Sequence, residues 1–213
     1  AISPSAVAGA AGTVAPMSLA VLVSGTGSIL DAMVSAGLPV ALVVSDRPCP
    51  AIGMAADHDV EAVVVHRDSY GDDFDRDAYT SRLTDLLVDR GVSLVAMAGF
   101  GTILGQPIYD RFAGHILNTH PALLPAFPGG HAVRDALAHG VTVTGCTVHL
   151  ATLEVDAGPI LAQGTVEVRP DDDEASLHER IKAVERRLYV DTIRSVLGGE
   201  PPVPAGASGG ASA

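Results

Sequence analysis

The chain has 213 residues, 47% of them hydrophobic, which is enough for one large domain that buries over half of its unfolded surface and too apolar for global disorder. Asp and Glu number 25 against 13 Lys and Arg, a formal charge of −12, so nucleic acid is a poor partner, while a small anion in a locally positive site stays open. Cys49 and Cys146 stand far apart in no metal or redox spacing, which fits free thiols in a reducing compartment. No apolar run approaches the ~20 residues of a membrane span, and the first charged residue is Asp31, so neither a membrane segment nor a basic secretory leader is expected. A cytoplasmic chain is the expectation.

Residues 1–16 are small and uncharged with Pro and Gly, and read as a flexible leader, with Met17 as an alternative start. A single domain is expected over 17–198, followed by a flexible Pro/Gly/Ser/Ala tail over 199–213. Apolar runs at 19–23, 40–44, 62–65 and 94–98 are rich in Val and Leu without polar alternation, as strands covered on both faces are. Between them, 27–36, 51–57 and 75–90 have helical length, and the last places Tyr79, Leu83, Leu86 and Leu87 on one stripe. This β-α-β-α order predicts an α/β fold, a Rossmann-like, doubly wound, mostly parallel sheet. Further on, a strand at 115–120 leads through a Pro/Gly-rich loop to a helix at 132–138. Strands at 142–151 and 160–168, joined by a turn containing Asp156-Ala157-Gly158-Pro159, predict an antiparallel C-terminal extension. The acidic run Asp171 to Glu174 opens a long final helix over 175–197.

Three motifs carry chemistry. Ser24-Gly25-Thr26-Gly27-Ser28 follows the first strand and opens a helix, where a glycine turn and free N–H groups favour an anion. Leu30 occupies the place of the third glycine of a dinucleotide fingerprint, and Asp46 is a weak ribose partner, so a single phosphate is favoured over a dinucleotide. Asn118-Thr119-His120-Pro121 ends the fifth strand, and positions two apart share a face, so Asn118 and His120 can aim an amide and an imidazole at one point. Asp156 lies in a tight turn, where an aspartate most often bonds its own backbone; beside His120 it would instead hold the imidazole charged. The other histidines (His58, His66, His115, His131, His139, His149 and His178) form no metal-ligand spacing and are read together as ordinary structural residues. No GxSxG elbow is present for a serine hydrolase.

Taken in order, these pieces resemble the glycinamide ribonucleotide formyltransferase family, the folate-dependent enzymes of purine biosynthesis. The resemblance runs from about 19 to 197. It rests chiefly on 118–125 (NTHPALLP) with Phe127-Pro128-Gly129, and also on Ala98-Gly99-Phe100, Gly145-Cys146-Thr147-Val148-His149 and Asp156-Ala157-Gly158-Pro159-Ile160. It implies the formyltransferase fold, a catalytic trio of Asn118, His120 and Asp156, and ribonucleotide contacts from Gly27, Ser28, Ile29 and Glu185. It implies a folate pocket from Arg76, Gly101, Thr102, Ile103, Leu104 and Asn118, and from Thr152, Leu153, Glu154, Val155 and Asp156. Thr26 and Ile29 stand where many members carry Asn, and Thr102 where a basic residue is common. The cosubstrate implied is 10-formyltetrahydrofolate, with no metal. The implied partners are glycinamide ribonucleotide and formyl folate, neither nucleic acid nor membrane, and a homodimer is left open. The rivals are formyltetrahydrofolate deformylase, whose family adds an N-terminal regulatory domain, and methionyl-tRNA formyltransferase, which adds a C-terminal domain and binds a polyanion. Outside the folate class stand a non-catalytic nucleotide-binding module and a nicotinamide-dependent dehydrogenase.

Overall fold

A computed structural model describes residues 17–199. The expected leader over 1–16, and the expected tail from 200 onward, lie outside the described residues. Thirteen elements follow in order among those described: β1 (Leu19–Val23), α1 (Ser28–Ser35), β2 (Val40–Ser45), α2 (Pro50–Asp57), β3 (Glu61–Val64), α3 (Arg76–Asp89), β4 (Leu94–Met97), α4 (Gln106–Arg111), β5 (Ile116–His120), α5 (Ala132–Ala138), β6 (Val143–Leu150), β7 (Ile160–Glu167) and α6 (Glu174–Leu197). One seven-stranded sheet has the order β3-β2-β1-β4-β5-β6-β7. β1 to β5 are parallel, and β6 and β7 run antiparallel to their neighbours.

The period-2 alternation of β1 explains the two layers of helix. Leu19, Val21 and Val23 join the core beneath α1 and α6, whereas Ala20 and Leu22 join Tyr79, Leu83, Leu87 and Ile108 from α3 and α4. β1 is therefore buried along its whole length, which is why its sequence shows no polar alternation. α3 buries Tyr79, Leu83 and Leu87 as its stripe requires, with Leu86 only partly covered. α4 is missing from the sequence reading: six residues beginning Gln106-Pro107 give too short a periodic signal, and only its packing against α3 and β4 stabilises it. At the other end, the Asp173 side chain accepts a hydrogen bond from the Ser176 amide at 2.8 Å and caps α6.

Tyr79 is fully buried, and its hydroxyl finds no hydrogen-bond partner among the described residues. Tyr79→Phe removes that unsatisfied donor without opening a cavity. It is expected to stabilise the domain by about 1 kcal/mol, or roughly 2–4 °C in Tm, read by thermal melting.

Strand order reverses between β1 and β4, so the connections leaving their carboxyl ends diverge to opposite sides and leave a crevice. In doubly wound sheets ligands bind at this switch point. The loop over 24–27 after β1 and the loop over 98–105 after β4 flank the crevice, and the end of β5 stands next to it.

Candidate active site

β5 ends in the crevice, and its alternation separates two functions. Asn118 and His120 face one side; Thr119 between them turns away and donates its hydroxyl to the buried Glu185 carboxylate of α6 at 2.7 Å. The first side opens into a cavity of about 460 Å³, lined by Met97, Ile103, Leu104 and Val155 as apolar wall, with Asn118, His120, His149 and Asp156 as its polar part. The second is a cavity of about 240 Å³ formed by 25–29 with Thr119, His178, Lys182 and Glu185. Gly99, Thr119 and Pro121 line both, so the two form one cleft with the end of β5 at the junction.

The polar cluster is close-knit. His120 Nδ1 lies 3.3 Å from Asp156 Oδ2, with each side chain only 6% exposed, and His120 Nε2 lies 2.8 Å from the Phe127 carbonyl oxygen. One ring nitrogen bonds a carbonyl oxygen and the other faces a carboxylate oxygen. The loop after β5 thus closes over the pair, adding the Gly129 N–H to Asp156 Oδ2 at 2.8 Å. Burial pushes the Asp156 carboxyl up, but the adjacent His149 ring, the Gly129 amide and His120 outweigh it and hold the group below the usual carboxylate range. Asp156 itself adopts a left-handed backbone, φ 56°, in the turn between β6 and β7. The turn is held tight at Gly158, where a Cβ would stand 1.8 Å from the Leu150 carbonyl oxygen.

His149 corrects the sequence reading, which grouped it with the structural histidines. It pairs in register with Asn118 across the β5–β6 ladder and is buried. Its Nδ1 lies 3.0 Å from the Leu150 carbonyl oxygen, and its Nε2 lies 3.1 Å from the Asn118 amide nitrogen and 3.6 Å from Asp156 Oδ1. One N–H of Asn118 is pinned in this way and the other is left for the cavity. His178 is corrected too, since with Lys182 and Glu185 it lines the smaller cavity from one face of α6. Their spacing of four and three residues was a legible helical signal. His58, His66 and His139 keep local partners in Asp31, Asp68 and the Asp135 carbonyl.

The loop over 25–29 bears the predicted phosphate motif, and Gly27, Ser28 and Ile29 all line the smaller cavity. Gly27 has φ 80°, and a Cβ there would stand 2.8 Å from the Ala51 Cβ, so α2 packs against the turn only because the residue is glycine. Among the described residues Lys182, 3.5 Å from Glu179, is the one Lys or Arg lining this cavity, and none lines the larger one.

Of the residues the resemblance assigns to a folate pocket, Gly101, Thr102, Ile103, Leu104, Thr152, Leu153 and Val155 line the larger cavity, and Arg76 and Glu154 are not among its lining residues. Arg76 begins α3 with its side chain beside Gly105, and the Glu154 carbonyl accepts the Thr152 hydroxyl at 2.9 Å. The Thr102 hydroxyl donates to buried Asp46 at 2.7 Å and is spoken for within the protein. Cys146 is buried, which pushes its thiol up to about 12, so it packs rather than reacts. No group of His, Cys, Asp and Glu suited to a metal ion occurs among the described residues.

Glu185 makes a testable exception to the rule that buried carboxylates are held charged. Burial raises its pKa, and the Thr119 hydroxyl, Lys182 and Arg186 offset this only in part. An acid raised on folding is protonated more readily in the native chain, so stability falls as pH rises from the unfolded value of about 4.3 through the native one. Glu185→Gln is therefore expected to raise Tm over the parent at pH 7.5 and to match it near pH 4, by paired thermal melts.

The comparisons agree with this geometry. The formyl transferase family model matches residues 17–193. A phosphoribosylglycinamide formyltransferase of Mycobacterium tuberculosis is 48% identical over 187 residues, covering 85% of this chain and 86% of that protein. The trifunctional purine biosynthetic protein adenosine-3 of Homo sapiens is 35% identical over 188 residues, 85% of this chain but 18% of its own length. Among solved structures, glycinamide ribonucleotide transformylase 1 from Symbiobacterium toebii superposes with a TM-score of 0.83 at 38% identity, covering 89% of this chain and 91% of that one. With the sheet, the switch-point cleft and the Asn118–His120–Asp156 cluster all in place, the chain belongs to the formyl transferase family.

Proposed function

We propose that the chain transfers the formyl group of 10-formyltetrahydrofolate to the amine of 5-phosphoribosylglycinamide, giving formylglycinamide ribonucleotide and tetrahydrofolate in purine biosynthesis. The observation that carries this reading is the junction of the two cavities at Gly99, Thr119 and Pro121, beside Asn118 and His120. A phosphorylated ribonucleotide on the glycine turn and a flat folate in the apolar cavity would place amine and formyl carbon together there. The folate is a cosubstrate. The apolar wall takes its ring system, and no step calls for a metal.

The chemistry follows from the residues. The amine nitrogen attacks the formyl carbon, the C–N bond forms, and the carbonyl electrons move to oxygen. The free Asn118 N–H and the His120 imidazolium stabilise that oxyanion, with His120 and Asp156 both buried. Asp156 keeps His120 charged and helps carry the proton lost by the attacking nitrogen to the folate nitrogen, which leaves as the carbonyl reforms. Gly27, Ser28 and Ile29 hold the phosphate through backbone N–H groups at the start of α1, and Glu185 and Lys182 face the sugar and phosphate.

Mixing the protein with the ribonucleotide and 10-formyl folate should release deformylated folate, followed optically. Release of equal rate without ribonucleotide would instead assign a deformylase, which uses the same trio to deliver water. The expected place is the cytoplasm, read by fractionation, and the assembly to test for is a homodimer, read by light scattering.

A further inference from the structure

Asp46, the first residue beyond β2, is fully buried although nothing in the reaction uses it. Its Oδ1 accepts Arg47 Nε at 2.9 Å, and its Oδ2 accepts Arg47 Nη2 at 2.8 Å and the Thr102 hydroxyl at 2.7 Å. Burial pushes this carboxyl up, and the bonds from Arg47 and Thr102, with the Ser24 hydroxyl nearby, outweigh it and hold the group below the ordinary range. Ser24, the first residue after β1, also accepts the Gly101 N–H on its hydroxyl at 2.7 Å and donates its own N–H to the Gly99 carbonyl at 3.1 Å. The Arg47 guanidinium lies across the same glycine: a Cβ on Gly101 would stand 3.2 Å from Nη2.

The geometry crosses strands in an informative way. β2 and β4 are not neighbours, because β1 lies between them. A carboxylate at the end of β2 therefore reaches past the end of β1 to hold the loop that follows β4. The residues it gathers belong to the two halves of the cleft. Gly101 and Thr102 line the larger cavity, and Ser24 leads directly into the glycine turn that lines the smaller. The loop after β4 cannot shift without breaking the Thr102 bond to Asp46 or the Gly101 bond to Ser24, and through Ser24 it is joined to the loop after β1.

We propose that Asp46 is a positioning residue that clamps the loop after β4 to the loop after β1, so that filling either cavity strengthens binding in the other. This rests on the two-substrate reading above. The physical cause is shared order: a ligand that fixes one loop also fixes the carboxylate and its donors, and the second ligand then meets a loop already in place. Asp46 touches neither substrate and acts only through Thr102, Ser24 and Gly101.

The test measures coupling rather than rate. Calorimetry gives the Kd of glycinamide ribonucleotide for the full chain, alone and with saturating 5,8-dideazafolate, which has no formyl group to transfer. The parent is expected to bind the ribonucleotide at least about fivefold more tightly with the folate analogue present, with the same factor when the order is reversed. Asp46→Asn supplies an amide that cannot accept from all its present donors, and is expected to bring both factors to about one. Should that variant fail to fold, Thr102→Val removes the same bond at nearly constant shape and is expected to do likewise, while Thr102→Ser restores the hydroxyl and the coupling. A parent that binds both ligands independently, or a Thr102→Val protein that keeps the full factor, overturns the clamp alone. A parent that binds no ribonucleotide overturns the two-substrate reading and the clamp with it.

Discussion

Asp156→Asn is expected to lower kcat by on the order of 10²–10³-fold while changing ribonucleotide binding little, because its carboxylate faces His120 at 3.3 Å and the phosphate turn lies in the other cavity. The pH profile should separate this role from that of a turn residue. The Asp156 carboxyl is held below its ordinary range, so any stability it contributes is present above the unfolded value of about 3.9 and lost as pH falls through the lower native one. It is therefore ionised throughout an assay from pH 6 to 9, and removing its charge from the cluster is expected to move the pH–rate profile over that range. The neutral amide leaves the shape of the turn intact. Asn118→Ala and His120→Ala are each expected to cost a similar order, and the double variant less than the product of the two, since both groups act on one oxyanion. An Asp156→Asn enzyme with near-normal rate and an unmoved profile would reduce the residue to bonding its own turn.

Gly27→Ala carries the second large effect, on binding rather than chemistry. The new Cβ would stand 2.8 Å from the Ala51 Cβ and 3.1 Å from its Cα, and a left-handed backbone at φ 80° costs an alanine about 1–2 kcal/mol before any contact is counted. The turn must move off α2, and the N–H groups that it aims into the smaller cavity move with it. Each 1.4 kcal/mol lost is about tenfold in affinity, so ribonucleotide KM is expected to rise on the order of tenfold or more. The KM for formyl folate and kcat at saturation are expected to change far less, which steady-state kinetics with each substrate varied in turn will show. Equal losses in both KM values would mean that the turn supports the whole cleft.

The parallel half of the fold and the chemistry on β5 were legible in the chain because their causes are local. Val- and Leu-rich runs bury both faces of β1 and β2, the α3 stripe recurs at helical spacing, and Asn118 and His120 share a face because strand residues alternate. A glycine turn ahead of a helix announces an anion site for the same local reason. What tertiary structure decided are the contacts that depend on register or on crossing strands. His149 reads like any buried histidine until antiparallel pairing sets it opposite Asn118, and one residue of slip would turn it to the other face. Asp46 reads like a poor ribose ligand until the strand order β2-β1-β4 brings it to Thr102. Arg76, placed in the folate pocket by resemblance, begins α3 beside Gly105 and does not line the larger cavity. Sequence by itself determined which side chains could do the chemistry, because type and local spacing are written in the chain. Which of them meet was settled by the register of β5 with β6 and by the order of the strands, since those contacts join residues 27 to 56 positions apart, and their geometry exists only once the sheet has closed.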